Sequence, residues 1–384
     1  MYPNSGVMLL RFAAGDLIHG TPNTGANLVP AVIPGQIARR RFIARALIML
    51  LPFFGPVAPS FAALPASAPR PSITTLAREA RQIVASTAKV EQLADGFDWV
   101  EGPLWVRESG SLLFSDVPRN RIYQWSRNGG ARLFLEPSGG VGNLKGFREP
   151  GSNGLKPGRP GFLLMADQGQ RGIAELNLTT KQHRIIVDRF EGKRFNSPND
   201  LIVGPDGSIW FTDPPYGLEG VDASPLKEQP ANGVYRIAAD GAVTRVEADL
   251  RYPNGIALSP DARTLYVSNS DPEHAVILAY DVSRSGRLSR RRVFVDMTPL
   301  VGTLPGLPDG MVVDDRGNLF ATGPGGVHIF TSAGRELGRI STGAAISNCT
   351  FGGLDGRTLF MTSTHTVYAL RTKVRGAPAW RSAL

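Results

Sequence analysis

A strand-turn-strand unit recurs six times along the chain in constant register, and a chain built this way has few folds open to it. The units read VEGPLWVRESGSLLFSD at 100–116, SNGLKPGRPGFLLMAD at 152–167, SPNDLIVGPDGSIWFTDPPYG at 197–217, PNGIALSPDARTLYVSN at 253–269, PDGMVVDDRGNLFATG at 308–323 and SNCTFGGLDGRTLFMTS at 347–363. Aligned by their turns, they place one polar residue at the same point of each unit: Glu101, Asn153, Asn199, Asn254, Asp309 and Asn348, at intervals of 39 to 55 residues. The second strand of each unit ends 14 or 15 residues later, at Asp116, Asp167, Asp213, Asn269, Gly323 and Ser363. In an antiparallel hairpin that separation returns the chain to the end where it began.

A further strand candidate follows each hairpin: RIYQWS, IAELNL, GVYRIA, ILAYDV, VHIF and VYALR. Repeats of this length with several strands each predict an all-β fold, a six-bladed β-propeller over 88–384. The 44 glycines and 30 prolines agree, since they suit short strands joined by turns better than long helices. A strand near 88–93 is expected to close the ring by joining the last blade, which leaves no open sheet edge at the seam. With its core closed on itself, a propeller needs no partner, so a monomer is the default.

In a propeller the innermost strands surround a central channel, and equivalent residues of all blades converge there. Glu101, Asn153, Asn199, Asn254, Asp309 and Asn348 together offer only oxygen donors and two carboxylates, a set suited to a hard divalent cation at the centre. Zinc and copper are disfavoured because no Cys or His shares the register. Calcium fits a cage of carboxylates and amide oxygens better than magnesium, which demands tighter octahedral geometry. Asn or Asp before a strand commonly makes a local turn. That role explains a single position but not Glu101 at the same point of the first unit.

The formal charge of +9 is misleading, because residues 1–62 carry Arg11, Arg39, Arg40, Arg41 and Arg45 against Asp16 alone. The remaining Lys and Arg are scattered, with no basic stripe interleaved with aromatics, so no nucleic-acid partner is expected. Residues 39–68, RRRFIARALIMLLPFFGPVAPSFAALPASA, join a basic stretch to a proline-broken apolar run and small-residue cleavage sites, the pattern of an export signal of twin-arginine type. The run is too short and too interrupted for stable membrane insertion, and the expected location is the periplasm. Residues 1–38 read as a mis-annotated or disordered extension. A short helical pattern over 73–86 places a linker with a helix at 69–87. The single cysteine, Cys349, excludes an internal disulfide.

The ordered set EGPLW, NSPNDLIV, GSIWFTDPPYG, YPNGIALSPD and LPDGM, from about 90 to 371, resembles the SMP-30, gluconolactonase and regucalcin family, with squid-type diisopropylfluorophosphatase a more distant relative. The resemblance implies a six-bladed propeller with one catalytic divalent ion, usually Ca²⁺, held by Glu101, Asn199, Asn254 and Asp309. It implies hydrolysis of a sugar lactone such as glucono-1,5-lactone, the cation polarising the carbonyl while water attacks. Asp309 resembles the family's general base. A carboxylate bound to a cation is a weak base, so hydroxide on the ion stands as an alternative nucleophile. Asn153 and Asn348 share the ring as substrate or water contacts, Arg194 of GKRFNSPND is a candidate for sugar hydroxyls, and Tyr216 is a candidate pocket wall. Asp116, Asp167 and Asp213 read as outer supports of the ring.

The second unit departs from the bacterial gluconolactonase pattern, with Gln168 and Gly169 where a histidine is usual, and the loop 217–233 is long enough to cover the ring face and shape substrate choice. The same ion would also serve a phosphotriesterase-like or other ester hydrolase, and a non-catalytic binding propeller is the third reading. His183, His274, His328 and His365 share no register and receive no role; no Gly-x-Ser-x-Gly elbow is present.

Overall fold

The computed structural model describes residues 70–380, so the readings of 1–38 and 39–68 lie outside the described residues. Six antiparallel blade sheets follow one another among the described residues, with a two-stranded hairpin, Arg189–Phe190 and Lys193–Arg194, between the second and third. Blade 1 comprises Val100–Val106, Ser111–Asp116, Arg121–Ser126 and Gly130–Leu135, and blade 2 Ser152–Pro157, Phe162–Asp167, Gly172–Asn177 and His183–Val187. Blade 3 is Leu201–Val203, Ile209–Asp213, Gly233–Ile237 and Val243–Glu247, and blade 4 is Pro253–Leu258, Thr264–Asp271, His274–Val282 and Leu288–Asp296. Met311–Val313, Leu319–Gly323, Gly326–Phe330 and Glu336–Ser341 build blade 5. Blade 6 takes Asn348–Gly352, Thr358–Ser363 and Thr366–Arg371, and its outer strand comes from the other end of the propeller, Val90–Asp95. The closing strand thus starts two residues beyond the expected 88.

The second strand of each blade is nearly all buried, as in Ser111–Asp116, because each blade packs face to face against two neighbours. This is why LLF, FLLMA and LYV read as apolar runs and not as strict alternation. Six apolar clusters fill the six gaps between blades: Leu113 and Met165 share one, Leu164 and Phe211 the next, then Trp210 and Val267, Ala257 and Ala321, Phe320 and Leu359, and Phe360 and Leu112. The sixth cluster, between the last blade and the first, is what makes the ring close. Outermost strands such as Gly130–Leu135 are largely exposed.

The helical pattern over 73–86 resolves differently. Ser72–Thr75 pairs with Glu336–Ser341 as a fifth strand of blade 5, and only Arg78–Gln82 turns, as a 3-10 helix. A β-branched Ile-Thr-Thr run beside a free sheet edge gains a ladder of hydrogen bonds that an isolated short helix cannot match. Ala80, Ile83 and Val84 then bury against the cluster between blades 5 and 6. No helix among the described residues is long and apolar enough to cross a membrane.

Each inner strand touches the inner strands of the blades before and after it, so the channel is bounded by six closely spaced backbones. The residue after the ring position is glycine in four blades, Gly102, Gly154, Gly255 and Gly310. A Cβ at Gly255 would overlap the carbonyl oxygen of Asp309, and one at Gly310 would overlap the Asn348 side chain. Overpacking of this kind typically costs about 1–3 kcal/mol. Gly255→Ala is therefore expected to lower unfolding free energy by about that amount, read from the midpoint of urea denaturation; a midpoint equal to wild type would contradict the close approach.

Candidate functional site

Glu101, Asn153, Asn199, Asn254 and Asn348 are all buried at one end of the channel, and Asp309 is half-buried with its Oδ1 atom fully enclosed. Local backbone irregularity aims them. Ladder register shifts between Glu101 and Leu104, between Ser152 and Leu155, and between Pro253 and Ile256. Bulges of this kind twist a strand and redirect side chains, which is why they gather beside functional sites.

The hydrogen bonds divide the ring into two groups. Asn254 donates through Nδ2 to Ser270 Oγ at 2.9 Å, and Ser270 donates in turn to the Pro308 carbonyl at 2.6 Å. That leaves Asn254 Oδ1 buried with no partner, and Asn153 Oδ1 and Asp309 Oδ1 are in the same state. Asn348 behaves otherwise: its Oδ1 accepts the Cys349 N–H at 2.8 Å, and its Nδ2 donates to Glu101 Oε2 at 3.3 Å. The amide of Asn348 thus holds Glu101 in place, with help from the Gly102 N–H at 3.1 Å.

A carboxylate that the register did not mark stands among them. Asp200 is fully buried, its Oδ1 accepting the Leu201 N–H at 2.8 Å and lying 3.2 Å from Lys156 Nζ, while its Oδ2 has no partner. Its charge acts on both Glu101 and Asp309. Burial pushes the Glu101 carboxyl up to about 8, with the Asp200 charge adding to the effect. Asp309 is raised well above the carboxylate range, by burial first and then by the charges of Glu101 and Asp200. The signal available in sequence was the Asn199-Asp200 pair itself, because Asp200 fills the place that is glycine in four other blades.

Buried oxygens without donors, and carboxyls crowded against one another, are both what a divalent cation relieves. Asn254, Asp309 and Glu101 fit such an ion by donor chemistry, Asn199 stands in the same ring, and Asn153 has a free oxygen as well. The donor set is all oxygen, as for calcium or magnesium.

Two loops cover this end. Residues 146–149 are sewn to 217–219 by Arg148 N–H to Gly217 O at 2.9 Å, Glu219 N–H to Gly146 O at 2.9 Å and a bridge between Phe147 and Leu218. Arg148 and Glu149, neither foreseen from sequence, form a pair at 2.7 Å, and the Glu149 charge reaches Glu101 and Asp309. Tyr216 stacks on Tyr252 with ring centroids 5.7 Å apart, its buried hydroxyl near Asp309 and Ser270. It therefore stands beside the ring.

Arg194 is not brought into the ring. Its guanidinium donates to the Gln170 carbonyl, lies 4.0 Å from Asp188, and lines a separate polar cavity of about 590 Å³ with Lys145 and Arg171. Asp116, Asp167 and Asp213 accept backbone N–H groups of Trp99, Gln170 and Asn196 respectively, so they brace the loops at the ring end. Gln168, at the place of the usual histidine, is fully buried with both amide atoms unpaired.

The profile of the SMP-30/Gluconolactonase/LRE-like region matches residues 99–365. A gluconolactonase of Zymomonas mobilis is 44% identical over 310 residues, covering 79% of this chain and 87% of that protein. The solved structure of a gluconolactonase from Xanthomonas campestris superposes with a TM-score of 0.68 at 34% identity, covering 82% of this chain and 99% of that one. A calcium-binding regucalcin from Agrobacterium tumefaciens shares the fold, with a TM-score of 0.61 at 20% identity over 77% of this chain and 98% of that one. All six blades fall within these alignments or border them, and the chain belongs to the SMP-30/gluconolactonase family.

Proposed function

We propose that this chain hydrolyses the ester of a sugar lactone at the oxygen ring, with Ca²⁺ as the ion held there. The observation that carries the reading is the convergence of unpaired, buried oxygens of Asn254, Asp309 and Asn153 beside Glu101 at the mouth of one channel. Its support from relatives is the lactonase activity named for the Zymomonas and Xanthomonas proteins and the calcium binding named for the Agrobacterium one. The exported location proposed from residues 39–68 suits a small soluble substrate but rests on the sequence pattern alone.

Glu101, Asn199, Asn254 and Asp309 would hold the ion, Asn348 keeping Glu101 oriented and Ser270 keeping Asn254 oriented. The ion supplies a Lewis acid for the carbonyl oxygen of the bound ester. Asp309 accepts the proton of the attacking water at Oδ2, the oxygen not given to the ion; the acyl carbon gains the water oxygen, the ring C–O bond breaks, and the same proton passes to the freed alkoxide to give the hydroxy acid. Tyr216 and Asn153 present polar atoms to the hydroxyl-rich substrate. The sewn loops at 146–149 and 217–219 restrict access to water.

Asp309→Ala is expected to keep its fold by circular dichroism and lose at least ~100-fold in kcat on glucono-1,5-lactone, the range for a lost general base. Turnover within a few-fold of wild type would displace Asp309 from this role. Asn348→Ala is expected to weaken Ca²⁺ binding by about 10- to 100-fold, as loss of a ligand's hydrogen-bond support does, measured by calorimetric titration.

A third expectation concerns pH. Glu101 titrates at about 8 in the folded, ion-free protein against an ordinary 4.5, so the folded state binds more protons across that window. This contribution to stability is therefore greatest below about 4.5 and is lost as pH rises toward about 8. Ca²⁺ favours the ionised ring, so the rise in melting temperature on adding Ca²⁺ to chelator-treated protein should grow from about pH 5 to about pH 8. A rise of constant size across that range would speak against a buried carboxyl site.

A further inference from the structure

One residue breaks the pattern of the channel below the ring. The layer of inner-strand residues that the ladders place beneath the ring is Leu104, Ile202, Ala257, Val312 and Thr350 in five blades, and Lys156 in blade 2. All six line a cavity of about 820 Å³ at the far end of the channel. An ammonium in a layer that carries no other charge costs free energy unless it is paired. Lys156 is 15% exposed and finds its partner upward, in the fully buried Asp200 at 3.2 Å.

Resting on the metal-ring reading above, we propose that Lys156 is a resident counter-cation that fits the site to a single divalent ion. Three carboxylates share this channel: the charge of Asp200 acts on Glu101 and on Asp309, and that of Glu101 on Asp309. Glu149 also faces them but is paired with Arg148 at 2.7 Å. With Lys156 compensating Asp200, the ring presents two net negative charges, equal and opposite to one M²⁺. Without the ammonium it presents three, which favours a trivalent ion or a second cation. Lys156 acts through Asp200, so it is a positioning residue, and its effect lies in which ion binds.

The test compares Ca²⁺ and Tb³⁺ affinities of the chelator-treated full chain by calorimetric titration, for wild type, Lys156→Met and the double variant Lys156→Met/Asp200→Asn. Wild type should take one Ca²⁺ per chain. Lys156→Met should shift the Tb³⁺ to Ca²⁺ affinity ratio toward Tb³⁺ by at least ~10-fold, or take up a second ion, through one unbalanced buried charge. The double variant, which removes both charges, should return the ratio to within ~3-fold of wild type. Should Lys156→Met fail to fold, the double variant carries the test: folded with the wild-type ratio, it supports the inference. A folded Lys156→Met with an unchanged ratio overturns it, as does a double variant that fails to fold or departs from the wild-type ratio. A wild-type chain that binds no Ca²⁺ would overturn the metal reading and this inference together, whereas an unchanged ratio strikes Lys156 alone.

Discussion

Everything in this structure turns on concentrating negative and oxygen-bearing groups at one buried point, which is unfavourable unless they are countered. The proton affinities of Glu101 and Asp309 are raised, by burial first and then by neighbouring charges, that of Asp200 among them. A single strand could not hold such a group against repulsion. Six can, because each contributes one polar residue from a backbone fixed by its own ladder and by two neighbouring blades. The rigidity of the cores between blades is thus what makes the oxygen ring possible.

Close approach of the inner strands is the second requirement, and it explains the glycine that follows the ring position in four blades. Space for a side chain exists there in blade 3 and in blade 6, where Asp200 and Cys349 stand. Blade 3 uses that space for a third carboxylate. The cost of burying it is offset from below by Lys156 and locally by the Leu201 N–H. The chemistry of the ring is therefore set partly by residues one layer away.

The blades and the ring were legible in sequence because both repeat: six turns in register define the strands, and one polar residue in each unit defines the convergence. Asp200 was not legible because strand alternation puts neighbours on opposite faces, and bulging near the ring suspends that rule. Lys156 drew no reading from sequence, since nothing in SNGLKP says that the position faces a channel. Arg194 stands three residues before the ring-bearing Ser-Pro-Asn-Asp, but its guanidinium is turned aside to the Gln170 carbonyl, which proximity along the chain does not reveal. The segment 73–86 has a helical pattern, but a free edge on blade 5 competes for its backbone, and edges are invisible before the topology is known.

The two ends of the channel differ in a way that bears on specificity. The far end is lined mainly by apolar side chains and by residues 376–380, where Ala377 N–H bonds to the Val313 carbonyl at 2.9 Å and Trp380 reaches the clusters on either side of blade 3. The ring end instead carries the long loops, Tyr216 and the Arg148–Glu149 pair. Strands fix the donors that any ion-assisted ester hydrolysis requires, and those donors repeat from blade to blade. Loops do not repeat, and their residues are free to change without disturbing the ring. Discrimination among lactones therefore belongs to the segment around 146–149 and to 214–233, where a substitution alters what touches the sugar and leaves the buried charges balanced.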